Sequence, residues 1–119
     1  MGELDPRTAA VPDSERIGDR VIYENDRVRV WELTLDPGAE SHVHRHPHDY
    51  LIICIDGDRV AGKAAPGQGA AYGPMGDFAD FDTGPGHVLW VEGGVTETAV
   101  NTGHRPYRNV LVELKDERR

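Results

Sequence analysis

Four histidines, His42, His44, His46 and His48, fall within seven consecutive residues. A neutral imidazole offers one ring nitrogen as a lone-pair donor, and clustered imidazoles are a common way to hold iron, manganese, nickel or zinc. In an extended strand every second side chain points the same way, so His42, His44 and His46 are expected to share one face. Two imidazoles at i and i+2 can then reach a single ion from the same side. Pro47 cannot donate a ladder hydrogen bond and marks a turn, so alternation does not carry over to His48 and Tyr50. Asp49 is either an acceptor that orients one of these imidazoles or a plain surface acid. Tyr50 carries a phenol that is neutral unless a metal deprotonates it, which suits a hydrogen-bonding wall residue better than a ligand.

Little else in the chain offers chemistry. The single cysteine, Cys54, has no partner for a disulfide, lies in the apolar run LIICI and reads as a buried, inert thiol. His87 follows the turn Gly84-Pro85-Gly86, and His104 falls in a TGHRPY loop where a solvated histidine is the default. Trp31, Tyr72, Phe81 and Trp90 could line a pocket, although core packing is the expected role of Trp31 and Trp90. No Ser-His-Asp arrangement and no phosphate-cradling glycine loop with a lysine stands out, so any catalysis rests on the metal.

The elements that must position these histidines are short. Fourteen glycines and eight prolines in 119 residues break the chain into brief pieces and leave no long helical period. Residues 1–20 are mostly polar and read as an arm or a loosely attached strand. Residues 21–25, 28–35, 51–55, 59–65, 78–82, 87–91, 96–100 and 109–114 read as strands between glycine and proline turns. Asp56-Gly57, between two of these runs, is a strong local signal for a β-hairpin. Residues 66–76 are rich in glycine and alanine and form the expected long loop, and residues 115–119 are a wholly charged tail. The run LIICI is apolar at every position, so it needs cover on both faces, from a second copy of the chain or from the N-terminal arm. These readings give one all-β domain over residues 21–114, a sandwich or small barrel.

Charge and hydropathy exclude several partners. With 21 acidic against 13 basic side chains the net charge is −8, which repels a nucleic-acid backbone. No apolar run approaches the roughly 18 residues that span a bilayer, and the first twenty residues lack the pattern of a signal peptide. A cytoplasmic protein is expected.

The spacing of these residues resembles the cupin superfamily. Its first motif, G-x5-H-x-H followed by Glu and later Gly, is matched by Gly38, His44, His46 and Gly57, with Tyr50 at the place of the Glu. Its second, G-x5-P-x-G-x2-H-x3-N, falls on Gly86, Glu92, Gly94, Glu97 and Asn101, so Glu92 replaces the Pro and Glu97 the His. Within the superfamily, the strings VIYENDRVRVWELTLDPG, HRHPHDYLI and PYRNVLVELK resemble small bacterial single-domain cupins, including ones associated with β-alanine degradation. The resemblance spans residues 21–114 and implies a cupin-type double-stranded β-helix, a jelly-roll barrel. It implies one divalent ion, iron, manganese, nickel or zinc, held by His44, His46 and Glu97, with His48, Tyr50, His42 and Asp49 as a further ligand or pocket residues. A carboxylate can take the place of an imidazole as a ligand. The implied function is that of a mononuclear metal enzyme, dioxygenase-like or of other small-metabolite chemistry, acting on an oxygen-rich or carboxylated ligand. The alternative is a non-catalytic ligand-binding or sensor cupin. A homodimer is expected in either case.

Overall fold

The structure is a computed structural model that describes residues 5–116. Nine strands form two sheets: β1 (Arg20–Glu24), β2 (Val28–Leu35), β3 (His44–Arg45), β4 (Tyr50–Asp56), β5 (Arg59–Ala64), β6 (Phe78–Asp82), β7 (Val88–Val91), β8 (Thr96–Val100) and β9 (Tyr107–Leu114). A five-stranded sheet runs β1-β2-β9-β4-β7 and a four-stranded sheet runs β3-β8-β5-β6, with every pair antiparallel. The inner faces of the two sheets enclose the core, as period-two alternation requires. No helix among the described residues is long and apolar enough to cross a membrane.

The long strands carry the bulk of the core. Along β2, Trp31, Leu33 and Leu35 are buried, and across the ladder on β9 so are Tyr107, Asn109, Leu111 and Glu113. Tyr50 and Cys54 extend this inner face on β4, and Val60 meets it from β5. Glu113 is fully buried, but one of its oxygens accepts from Trp31 Nε1 at 2.8 Å and from Arg29 Nη1 at 3.3 Å. Those donors offset much of the cost of taking a carboxylate out of water.

One expected turn changes its role. Asp56-Gly57 does not close a hairpin: β4 is flanked by β9 and β7, and β5 by β6 and β8, so neither strand has a free edge for the other. The dipeptide instead carries the chain from one sheet to the other. Gly57 has φ +127°, and a Cβ there would lie 2.8 Å from the Tyr107 ring. Glycine is therefore required by both conformation and space. Of the two readings of residues 1–20, the described residues before β1 take the form of an arm. Residues Pro6–Ala9 form one helical turn, α1, capped by the Asp5 carboxylate, and Asp13–Glu15 form a 3-10 turn. Thr8 Oγ1 accepts from Val21 N at 2.9 Å and Arg7 donates to Val21 O at 3.2 Å, which ties the arm to the exposed edge of β1. Val11 and Ile17 of the same arm enter the core.

The outer face of the five-stranded sheet is apolar where β4 meets β7 and β9. Cross-strand pairing places Leu51 beside Trp90 and Val112, and Ile53 beside Val88 and Val110. Val88 and Trp90 are each 51% exposed. The core position expected for Trp90 is thus wrong: it lies on the opposite pleat from Leu89 and Val91 and is half exposed. The first four residues and Glu117, Arg118 and Arg119 of the charged tail lie outside the described residues; Lys115 bonds to Glu24 at 2.8 Å.

Candidate metal centre

Strand β3 is only two residues long, but it places His44 opposite Glu97 of β8 in the four-stranded sheet. His46 lies just beyond, its N–H donating to Val95 O at 3.1 Å and its carbonyl accepting from Gly94 N at 2.7 Å. The two imidazoles are therefore held at i and i+2 against the strand that supplies the carboxylate. His44 and His46 are each 2% exposed and Glu97 is 8% exposed.

The ligating atoms converge. His44 Nε2 is 3.1 Å from His46 Nε2, His46 Nε2 is 3.0 Å from Glu97 Oε2, and His44 Nε2 is 4.0 Å from the same oxygen. Ligand atoms bound to one ion at about 2.0–2.1 Å can be no more than roughly 4.2 Å apart. All three distances satisfy that limit. The tautomer of His44 also fits: its Nδ1 lies 2.9 Å from His42 O, and a carbonyl only accepts, so Nδ1 carries the hydrogen and Nε2 presents a lone pair. One proton can join these atoms only in pairs, whereas a cation can engage all three. His44, His46 and Glu97 together could hold a metal ion.

Electrostatics keep His44 and Glu97 in ligating form. Burial, and then the neighbouring His46, lower the pKa of His44 to about 4, so its imidazole stays neutral near pH 7. Burial alone would raise the Glu97 carboxyl. The hydrogen bond and charge of His46, with a hydrogen bond from Tyr72, outweigh it and hold Glu97 below its ordinary value as a carboxylate. Tyr50 is pushed up by burial and by the charge of Glu97, so it remains a phenol and a donor. Its hydroxyl lies 3.4 Å from Glu97 Oε2, and its ring stacks on His46 at 4.0 Å between centroids, 7° from parallel.

The remaining residues singled out in the sequence are dispersed. His42 precedes β3 and is exposed; its ring stands edge-on to that of His44 at 5.7 Å between centroids and 3.4 Å from Asp13 O, outside the converging group. The reason is that the strand begins only at His44, and alternation does not apply before it. His42 contributes its carbonyl. His48 is half-buried beyond Pro47 and lies outside the converging group, while Asp49 Oδ1 accepts from Gly93 N at 2.9 Å and fixes the turn before β8. His87 and His104 are exposed. Asn101, matched by the second motif, serves the fold. Its amide donates to Leu35 O and Arg105 O, and its oxygen accepts from Gly103 N, which staples two chain crossings.

The chain matches no family model and no curated protein in sequence. Solved structures match it in shape. A cupin domain from Bordetella pertussis Tohama I has TM-score 0.65 at 24% identity, over 81% of this chain and 90% of that one. A conserved protein with a double-stranded β-helix domain from Klebsiella pneumoniae has TM-score 0.60 at 22% identity, over 88% and 81%. An RmlC-like cupin family protein from Methanocaldococcus jannaschii has TM-score 0.59 at 13% identity, over 79% and 75%.

The chain has the cupin fold. Within this cupin barrel His44 and the second-motif Glu97 lie on adjacent strands with His46 just beyond β3, although about fifty residues separate the histidines from Glu97 in sequence. One neighbour of the group carries no such motif. Tyr72, on the loop between β5 and β6, donates its hydroxyl hydrogen to Glu97 Oε1. Nothing in its local spacing distinguishes it from any other aromatic residue in a glycine-rich loop.

Proposed function

We propose that this chain is a metal-binding cupin that holds one divalent ion through His44, His46 and Glu97 and presents it to a small oxygen-rich or carboxylated ligand. The observation that carries this reading is the convergence of two imidazole nitrogens and one carboxylate oxygen, with the lone pair of His44 aimed inward by the His42 carbonyl. Iron(II), manganese, nickel and zinc all suit such a donor set. A divalent ion there would polarise a ligand oxygen or lower the pKa of a bound water. The chain's own residues orient and exclude: Tyr50 packs flat on His46, and Tyr72 covers Glu97. The expected test is metal content. Purified protein, loaded with each ion in turn, should retain about one ion per chain, and His46→Ala should release it. Failure to retain any of the four would overturn the reading. Uptake of O₂ on adding substrate to the iron(II) form would identify the dioxygenase-like branch.

The burial of all three donors favours a second reading, in which the same centre serves a ligand-binding or sensor module without turnover. A thermal-shift screen of small organic acids separates the two, because a ligand that is bound but unchanged raises the melting temperature and yields no product. We further propose that two copies associate through the apolar outer face of the five-stranded sheet, where Leu51, Ile53, Val88 and Trp90 lie together. A cytoplasmic location is proposed on the buried free thiol of Cys54.

A further inference from the structure

The carboxylate of Glu97 is divided between two sets of partners. Oε2 faces the histidines and Tyr50, whereas Oε1 accepts a hydrogen bond from the Tyr72 hydroxyl. Tyr72 reaches this point from residues 65–77, a loop whose base is fixed to the strand that bears Glu97. The Gln68 amide donates to Thr96 O at 2.7 Å and to Ala65 O at 2.9 Å, and its oxygen accepts from Thr96 N at 2.8 Å. The loop is thus pinned at the residue immediately before Glu97. The facing sheet is shaped to admit the phenol. Gly62, Ala64, Ala79 and Ala99 share the inner face of β5, β6 and β8 around Glu97. At Gly62 a Cβ would lie 2.9 Å from the Tyr72 hydroxyl and 3.1 Å from Glu97 Oε1. Only glycine leaves both groups where they are.

We propose that Tyr72 is a positioning residue of the metal centre: by engaging Oε1 it commits Oε2 of Glu97 to the imidazole pair, and Gly62 provides the room for it to do so. The proposal rests on the metal-binding reading above. A ligating carboxylate left without such a partner can rotate or offer both oxygens, and loss of an outer hydrogen bond of this kind weakens metal affinity by about 10–100-fold.

Cobalt(II) serves as the probe, since its visible absorption reports the ligand arrangement and its affinity can be measured against a competing chelator. Tyr72→Phe should keep the ring and the fold, lose affinity by about 10–100-fold, and change the cobalt spectrum. Gly62→Ala should do the same with the tyrosine still present, because the new methyl displaces the hydroxyl; it decides the matter if Tyr72→Phe does not fold. Wild-type affinity and spectrum in the variant would overturn the proposal. So would a loss of affinity with an unchanged spectrum, which is the mark of general loosening. A wild-type chain that takes up neither cobalt nor any of iron(II), manganese, nickel and zinc would overturn the metal reading itself, and the role of Tyr72 with it.

Discussion

The two sheets face each other across one interior but are built from different residues. The five-stranded sheet points Trp31, Leu33, Tyr50, Tyr107 and Leu111 inward, with its long strands β2 and β9 paired without a break. The four-stranded sheet offers Gly62, Ala64, Ala79 and Ala99 beside His44 and Glu97. Bulky apolar side chains on one wall provide the burial that holds the molecule together. Small side chains on the other leave space in which polar groups can meet. The division explains how a buried cluster of two histidines and a glutamate is tolerated in so small a protein: the cost of its desolvation falls on one wall and the compensating packing on the other.

The largest expected effect comes from the packing wall. Trp31→Ala removes a fully buried indole and the 2.8 Å hydrogen bond to the buried Glu113, so a loss of about 3–5 kcal/mol is expected in urea unfolding. A loss below 1 kcal/mol would dissolve the contrast between the walls. On the polar wall, pH provides the probe. In the metal-free protein His44 stays neutral down to about pH 4, whereas the unfolded chain takes up its proton near 6.5. The unfolded state then binds more protons between these values, so stability should fall by about 3 kcal/mol as pH drops from 6.5 to 4. Glu97, lowered in the fold, adds to the loss in the same direction. Unfolding measured across that window should show the slope, and His44→Gln should flatten most of it.

Filling the space is expected to cost less. Ala99→Leu enlarges a side chain beside Gly62 and should destabilise by about 1–3 kcal/mol while lowering metal uptake, read by unfolding and metal analysis together. Destabilisation with metal uptake intact would separate the small residues from the site they adjoin. The smallest change in stability lies outside both inner faces. Trp90→Ser should alter monomer stability by less than about 0.5 kcal/mol yet shift the protein toward monomer in light scattering, since the indole is half exposed on the outer sheet face. An unchanged mass would remove that face as the contact between copies.

Much of the fold is legible without coordinates because its signals are local. The alternation in VRVWELTL fixes β2 at Val28–Leu35, and the expected strand over residues 78–82 is the observed β6. Glycine and proline turns end strands wherever they fall. The errors arise where a local signal depends on a distant partner. Asp56-Gly57 has the chemistry of a hairpin, but hairpin or crossing is decided by which strands occupy the neighbouring edges, and those lie dozens of residues away. Trp90 has the composition of a core residue, but its pleat faces outward once β7 pairs with β4. His42 sits at the right interval from His44, but the strand starts two residues too late to include it.

The same physics divides the candidate centre. The sequence by itself determined that His44 and His46 lie close together, because two residues of extended chain cannot separate them, and motif spacing pointed to Glu97. Only the tertiary structure decided that Glu97 stands opposite His44, that the His42 backbone rather than its ring serves the cluster, and that Tyr72 closes over the second carboxylate oxygen through the gap at Gly62. Strand register and loop closure are set by packing across the whole barrel, and no interval along the chain encodes a contact between a loop tyrosine and a strand glutamate 25 residues apart.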